Sequence, residues 1–305
     1  MKPVIVLRMR LLRLGLLLTV ASACTQTAEA KAPPGTITVV ATTTQMQDLV
    51  RNVGGPRVHL VGILRPNVDP HDFEPTPSAV VALADAKLVV ESGVGLDAWA
   101  DQLVEGAGTS APVFVASAGL PLRPDDPHWW GDPMLVERAA VALSRNLGQV
   151  DPGHRDAYRR NAARYVDRVE AMDTANRRLV ATVPVAERKL VTNHDAFAYL
   201  AAHYGIRVVG SVIPALSSAA QPSAQDVADL VDRIKAEHVR AIFTESSLDP
   251  ALERQIASEA GVRVDADLYG DTLGPPGSPG ATYLGMERWN VRAMVAGFLG
   301  RPPPR

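Results

Sequence analysis

The chain contains a single cysteine, and this shortage limits what can brace the fold and what can bind a metal. Cys24 lies near the start of the 305 residues. The rest of the chain can therefore form no disulfide bond and supply no thiolate ligand. Its stability has to come from burial, and about 280 residues beyond the first 23 are enough for one large core or for two lobes.

Long apolar runs are also missing. The run from Leu14 to Ala21 is well short of the ~20 residues that a membrane-spanning helix needs, and no later segment is apolar enough. Four basic residues precede it: Lys2, Arg8, Arg10 and Arg13. Basic residues followed by a short apolar run predict a secretion signal over residues 1–23, so we expect the mature protein to work outside the cytoplasm.

Cys24 itself follows three small residues, Ala21-Ser22-Ala23. This arrangement resembles the lipobox of bacterial lipoproteins and predicts a lipidated Cys24 that anchors the protein to a membrane, followed by a linker over residues 24–35. The same small residues also suit an ordinary signal peptidase. A freely secreted, periplasmic protein is therefore the alternative.

A surplus of positive charge is absent as well. The formal net charge is −2, and removal of residues 1–23 lowers the 31 basic side chains to 27 against 33 acidic ones, a net charge of about −6. Proteins bind nucleic-acid phosphates through clustered lysine and arginine side chains. We therefore expect no nucleic-acid partner.

The motifs of common hydrolases and nucleotide-binding enzymes are not found. The sequence has no H-E-x-x-H, no G-x-S-x-G and no G-x-x-x-x-G-K segment, and no cysteine is available to pair with a histidine. We therefore expect no enzymatic activity. A zinc-dependent hydrolase remains the alternative, and its general base would be one of four acidic residues: Asp72, Glu74, Asp195 and Glu245. The structural roles open to the same residues are to begin a helix or to accept a hydrogen bond from an imidazole ligand.

Short runs rich in valine and isoleucine alternate with segments of helical spacing, and the alternation occurs twice. It predicts an α/β fold with parallel sheets and crossover helices. The predicted strands are 36–41, 58–64, 87–91 and 112–116, then 189–192, 207–213, 239–244 and 263–268. The predicted helices are 45–53, 77–86 and 96–107, then 196–204, 224–237, 250–260 and 283–299.

Between the two sets, apolar residues recur three or four apart from Asp151 to Val183. This spacing predicts one amphipathic helix of about 45 Å. We expect an amino-terminal lobe at 36–150, a linking helix at 151–184, a carboxy-terminal lobe at 185–300 and a tail at 301–305. A helix inside one ordinary domain gives the same periodicity and is the alternative.

Four short turn segments each carry one imidazole or carboxylate that follows a predicted strand. The residues are His71, His128, His194 and Asp271. Ligands of parallel sheets bind beyond the carboxyl ends of the strands, so these side chains are expected to meet. Three neutral imidazoles and one carboxylate suit zinc better than calcium or magnesium, which prefer oxygen ligands. The other histidines lack paired spacing and are predicted to be surface or packing residues: His59, His154, His203 and His238.

At these segments the chain resembles zinc and manganese solute-binding proteins of ABC importers, the cluster A-I or TroA-like family. The matching motifs are Asp69-Pro70-His71-Asp72-Phe73-Glu74-Pro75, Asp126-Pro127-His128-Trp129, Thr192-Asn193-His194-Asp195 and Gly270-Asp271-Thr272. The resemblance implies two Rossmann-like lobes joined by a rigid helix, with a metal ion in the cleft. His71 and His128 would come from one lobe, and His194 and Asp271 from the other.

The resemblance also implies the cargo and the partners. Manganese and iron members usually carry glutamate where this chain has His194, and a nitrogen-rich set favours Zn(II) over Mn(II). The segment before His128 is short and lacks the histidine-rich loop of many zinc members, which resembles the AztC-like type. We expect a monomeric zinc carrier that delivers to an ABC permease and its ATPase, with a metallochaperone as a further partner. A manganese or iron carrier, and an additional role in cell adhesion, are the alternatives.

The same features suggest how the metal is released. A rigid linking helix should prevent wide closure of a hinge, so release should need a local shift of a loop that carries a ligand. The segment 270–280 is rich in glycine and proline and contains Asp271. We expect the local movement there.

Overall fold

The computed structural model describes residues 32–265 and 267–302. The predicted signal, the predicted lipidation site Cys24 and the last three residues lie outside these ranges. Within the described ranges, no helix combines the length and the apolar character needed to cross a membrane.

The first part of the chain forms a four-stranded parallel sheet. Its strands β1 to β4 are Ile37–Ala41, Val58–Gly62, Leu88–Glu91 and Val113–Val115, in the order β2-β1-β3-β4. The crossover helices α1 to α3 are Thr44–Gly54, Pro77–Ala84 and Trp99–Ala107. Strand β1 lies in the middle and is buried from Val39 to Ala41, as expected of a parallel strand covered by helices on both faces.

Two consecutive helices follow. Helix α4 spans Pro133–Val150 and helix α5 spans Arg155–Val180. Helix α4 was not predicted from the sequence. Helix α5 was predicted over 151–183, but Asp151 ends α4 and a 3-10 turn at Pro152–His154 separates the two helices. The 26 residues of α5 correspond to about 39 Å rather than the predicted 45 Å.

The last part of the chain repeats the first arrangement. Strands β5 to β8 are Lys189–His194, Arg207–Ile213, Ala241–Ile242 and Arg263–Val264. Helices α6 to α9 are Ala198–Tyr204, Ala224–Ala236, Ala251–Ala260 and Tyr283–Phe298. Two parallel pairs, β5 with β6 and β7 with β8, are joined where the amide of Phe243 donates to the carbonyl of Val191 at 2.9 Å. The order β6-β5-β7-β8 therefore repeats the order of the first sheet.

The predicted boundaries agree best where a local signal marks them. Ser223 and Asp226 form a capping box at the start of α7, because each side chain accepts a backbone N–H that the start of the helix leaves free. Strands β7 and β8 are shorter than predicted. The last predicted strand, 263–268, ends in regular pairing at Val264, and Leu268 pairs only through an isolated bridge to Glu245.

Helix α5 packs along both halves of the molecule. Its buried face includes Tyr158, Tyr165 and Met172, each at most 1% exposed, and it packs against α4 and α9. Because the strands of each sheet are parallel, their carboxyl ends and the loops that follow them lie along one edge of that sheet. The four candidate ligands lie at these strand ends or on the loops that follow them.

Candidate metal site

Four side chains from distant parts of the chain converge. His71 lies on the 3-10 turn Pro70–Asp72, His128 immediately precedes a second 3-10 turn, His194 is the last residue of β5, and Asp271 follows the bridge residue Leu268. One nitrogen or carboxylate oxygen from each lies within 4.8 Å of the others. The structure thus brings together the four residues that the sequence singled out.

The Nε2 atoms of the three rings all face the carboxylate of Asp271. The distances are 3.1 Å from His128 to Oδ1, 3.2 Å from His194 to Oδ2 and 3.6 Å from His71 to Oδ2. The ring centroids are 5.3–5.8 Å apart. Atoms that share one zinc ion lie about 2 Å from it. Donors at these separations can surround a single ion of that size.

The facing atoms have no other partner. His128, His194 and Asp271 are 0% exposed, and the His71 side chain is 9% exposed. In the ranges 32–265 and 267–302, no hydrogen bond of good geometry reaches any of the three Nε2 atoms or either oxygen of Asp271. Buried polar atoms without partners are costly. A bound cation would satisfy all of them at once.

Two of the rings are oriented by carboxylates from behind. Asp126 Oδ1 accepts from the backbone amide of His128 at 3.0 Å and contacts its Nδ1 at 2.9 Å. Glu245 Oε1 lies 2.8 Å from Nδ1 of His194. A carboxylate at Nδ1 keeps the proton there, which leaves the lone pair of Nε2 directed at the metal.

The electrostatics of the site favour a cation. Burial would raise the pKa of Asp271, but the charge of the adjacent His194 and the close approach of the three ring nitrogens hold that pKa well below its ordinary value. Burial would lower the pKa of His128, but Asp126 and Asp271 raise it above its ordinary value. Three buried carboxylates, those of Asp126, Glu245 and Asp271, thus surround the imidazoles and attract positive charge.

His71 is held differently from the other two rings. Asp69 Oδ1 accepts from the backbone amide of His71 at 2.9 Å, and Asp69 Oδ2 accepts from the hydroxyl of Ser218 at 2.5 Å. Among the residues that the structure describes, no carboxylate contacts Nδ1 of this ring. The side chain is therefore positioned through its backbone rather than through its ring.

The segment around Asp271 is tied to the first half of the chain. Gln45 Nε2 donates to the carbonyl of Asp271 at 2.9 Å, and Trp130 Nε1 donates to the carbonyl of Gly270 at 3.2 Å. A Cβ at position 270 would overlap the carboxylate of Glu245. Only glycine fits between this loop and the group that orients His194.

The other predictions about polar residues had mixed outcomes. Of the four acids proposed as bases or hydrogen-bonding partners, Glu245 contacts a candidate ligand, whereas Asp72 and Glu74 are exposed and Asp195 is half-buried without such a contact. His203 bridges Asp132 and Asp173.

Asp126, Gln45 and Ser218 were not predicted to have a role in the site. The repeated tripeptide Asp-Pro-His at 69–71 and 126–128 was the available signal for Asp126.

Trp129 and Trp130 differ in function despite being adjacent. Trp129 is 0% exposed and donates to Ser92 in the core. The ring of Trp130 lies 5.6 Å from the ring of His128, and its Nε1 binds the loop of Asp271. Trp129 therefore packs in the core of the first half, whereas Trp130 lines the site and links the two halves through its hydrogen bond.

The fold and the site match known proteins. The family model described as "Zinc-uptake complex component A periplasmic" matches residues 39–297. The iron-binding protein YfeA of Yersinia pestis is 29% identical over 269 residues, 85% of this chain and 86% of the relative. The manganese ABC transporter substrate-binding lipoprotein PsaA of Streptococcus pneumoniae is 25% identical over 294 residues, 90% and 93% of the two chains. The structure of the periplasmic zinc-binding protein TroA of Treponema pallidum superimposes with a TM-score of 0.80 at 29% identity, over 87% of this chain and 99% of TroA.

The repeated sheets, the long helix and the buried cluster between them define a two-lobed solute-binding fold, as the superposition on TroA shows. The chain belongs to the zinc-uptake complex component A family. It is therefore a metal-binding, substrate-binding protein of an ABC transporter, and an ABC permease with its ATPase is the partner of such a protein. Members of this family are solute-binding proteins rather than enzymes.

Proposed function

We propose that the protein captures Zn(II) outside the cytoplasm and delivers it to an ABC importer. His71, His128, His194 and Asp271 are the proposed ligands. The observation that carries the proposal is the convergence of three buried Nε2 atoms on one carboxylate that the protein leaves otherwise unpaired. Three nitrogens and one oxygen form a set that suits a tetrahedral zinc ion.

The cargo role follows from how the ligands are distributed. We infer an amino-terminal lobe at 36–150, a linking segment at 151–184 that contains α5 and a carboxy-terminal lobe at 185–300, so that each lobe supplies two ligands. Because the ion ties the two lobes together, its presence can change the surface offered to the permease. We also propose a lipid anchor at Cys24, since PsaA is described as a lipoprotein.

Mn(II) or iron is the second candidate cargo. Both oxygens of Asp271 face the rings, one near His128 and one near His194, and a carboxylate that binds through both would add a fifth donor. PsaA and YfeA are described as manganese-binding and iron-binding proteins. The excess of nitrogen over oxygen donors favours zinc.

Metal analysis of the purified mature protein under competition separates these cargoes. We expect about one zinc per chain when zinc and manganese are supplied together, because zinc binds nitrogen-rich sites more tightly than manganese. His194→Ala should lose most of the zinc affinity. Binding of manganese in preference to zinc by the wild type would overturn the assignment of the cargo.

A second variant tests what sets the selectivity. His194→Glu replaces an imidazole by a carboxylate and should shift the ratio of zinc to manganese affinity toward manganese. His59→Gln is the control, because His59 lies on β2 and is not part of the cluster, so that this change should leave the ratio unchanged. An unchanged ratio in His194→Glu would show that selectivity lies in the geometry that the lobes impose.

A further inference from the structure

A basic groove lies between α4 and α5, away from the metal site. It has a volume of about 620 Å³, and three arginines line it together with Ser144 and Gln149. The arginines are Arg145 on α4, and Arg155 and Arg159 on α5; all three are exposed. On a protein whose net charge is negative, this is a local concentration of positive charge.

The arginines of the groove are free to bind an anion. In the described part of the chain, none of the three guanidinium groups lies within 4.0 Å of a carboxylate, and Arg155 alone is engaged, by a 3.4 Å bond to the carbonyl of Gly148. The acids closest to Arg155 in the sequence are Asp156, which is exposed, and Asp151, whose carboxylate bonds His154 and Tyr158. Unpaired arginines are well suited to binding phosphate groups.

The groove lies at the end of the first sheet opposite to the metal site. Asn161 on α5 donates to the carbonyl of Val53 at the end of α1. Val58, which begins β2 shortly after, pairs with Ile37, the first residue of β1. The first turns of α5 are therefore at the amino edge of the sheet, whereas the proposed metal ligands follow the carboxyl ends of the strands.

The chain enters the folded part at the same edge. Cys24 precedes Ile37 by 13 residues, which can span at most about 45 Å. A protein tethered at Cys24 can therefore bring its amino edge to the membrane, and its metal cleft is then turned outward.

We propose that the groove formed by Arg145, Arg155 and Arg159 binds the phosphate headgroups of anionic phospholipids. While the protein is not docked on the permease, the contact orients it with the cleft facing away from the lipid surface. The surface potential of anionic lipids attracts basic residues that lie within about one Debye length of the surface. The exposed arginines at the amino edge can come this close to the lipid. This inference rests on the membrane-tethered location proposed above.

The experiment uses the mature chain with Cys24→Ser, so that any binding comes from the protein surface. Sedimentation with vesicles of equimolar phosphatidylcholine and phosphatidylglycerol is compared with vesicles of phosphatidylcholine alone. We expect binding only to the anionic vesicles, weakened by salt. Arg145→Gln with Arg159→Gln should lower the partition coefficient roughly 25-fold, since each basic residue near an anionic surface contributes about a factor of five.

A matched variant separates the groove from overall charge. Arg254→Gln with Arg292→Gln removes the same charge from exposed arginines of α8 and α9 and should bind vesicles like the wild type. Zinc stoichiometry, measured in parallel, should be unchanged in both pairs, so a failure of the metal proposal is visible separately.

Equal loss in the two pairs, or no preference of the wild type for anionic vesicles, would overturn the membrane contact. Displacement by millimolar inorganic phosphate would overturn it in favour of a site for a free anion.

Discussion

The tripeptide Asp-Pro-His occurs twice in this chain, and its two copies are fixed in different ways. In both, the aspartate caps the backbone amide of the histidine two residues later, at 2.9 Å for Asp69 and 3.0 Å for Asp126. Asp126 also bonds the ring of His128. Asp69 instead accepts from Ser218, which lies 149 residues further along the chain.

The same local sequence therefore supplies two kinds of ligand. The His128 ring is fully buried and oriented by a carboxylate, whereas the His71 side chain is partly exposed. The segment of His71 is attached to the other half through two hydrogen bonds, from the hydroxyl of Ser218 to Asp69 and from the amide of Asn67 to the hydroxyl of Thr272. A backbone cap positions a loop, but a bond to the ring fixes the direction of the lone pair. We therefore expect His128 to be the fixed ligand and His71 to be the ligand that opens.

This comparison changes the expected place of metal release. The sequence pointed to the glycine-rich segment 270–280. In the structure, Asp271 and its neighbours are held by Gln45, Thr44 and Trp130, so local opening there would break several buried hydrogen bonds. Opening at the segment of His71 would break fewer, and we expect the movement there instead.

The largest effect should come from removing the rings themselves. Structural zinc sites bind with about 10–16 kcal/mol shared by four ligands, so loss of one ligand should weaken zinc binding by roughly 10²-fold or more. His128→Ala should cost more than His71→Ala, because it also removes the ring nitrogen that the buried Asp126 contacts. Isothermal titration with a competing chelator measures both, and His59→Ala is the control. Equal losses would remove the distinction between the fixed and the opening ligand.

The next effect separates the two aspartates. Asp126→Asn should weaken zinc binding by about 10- to 100-fold, as is typical when a group that orients a ligand is changed. Asp69→Asn keeps an oxygen for the backbone cap and should cost less than about 10-fold. The two variants form a matched pair because they make the same change at the same position of the same tripeptide. A larger loss in Asp69→Asn would contradict the assignment of Asp126 as the residue that orients a ring.

The attachment of the His71 segment can be tested through kinetics. Ser218→Ala removes the bond to Asp69 and should speed zinc release up to about 10-fold, since a hydrogen bond to a charged group contributes about 1.5 kcal/mol. Stopped-flow release into a chelator measures the rate. Ser217→Ala is the control, because its hydroxyl accepts from the nearby amide of Ala219. An unchanged rate in Ser218→Ala, or an equal acceleration in the control, would show that this bond does not restrain release.

The sequence predicted the four converging residues because each follows a strand of a parallel sheet, and topology alone brings such positions to one edge. The sequence could not show that Glu245, rather than Asp72 or Glu74, contacts a candidate ligand. Glu245 reaches His194 from 51 residues away, and that contact depends on how β5 and the segment after β7 pack. The two Asp-Pro-His segments could be recognised as alike, but their different partners arise from tertiary contacts that no local pattern contains.

Helix α4 was missed for a related reason. It begins at Pro133, capped by Asp132, directly after the segment of Trp129 and Trp130. Its buried face, from Leu135 to Leu147, becomes recognisable as a helix face when α5 is known to cover it. Helix α5 itself was predicted because its apolar spacing continues through many turns.

The smallest expected effect concerns the contacts of His203, which help to hold the segment that follows His128. Asp132, four residues after His128, contacts Nδ1 of His203 at 2.9 Å, and Asp173 on α5 contacts its Nε2 at 2.7 Å. Burial would lower the pKa of His203, but these two carboxylates raise it above its ordinary value. A carboxylate at each ring nitrogen favours the charged ring, so His203 links α4, α5 and α6 when protonated. Other ionisable groups near this ring are Glu137, Arg177 and Tyr204.

Because the folded-state pKa of His203 lies above that of the unfolded chain, the stabilisation is complete below about pH 6.5 and is lost as the pH rises through the folded-state value. Urea unfolding of the wild type and His203→Gln should therefore differ by about 1 to 2 kcal/mol at pH 6 and by less at pH 9. His59→Gln controls for loss of a histidine. A difference that is constant with pH would mean that the ring packs without carrying charge. The His128 segment would then rely on Asp126 alone, and the contrast with His71 would rest on that single carboxylate.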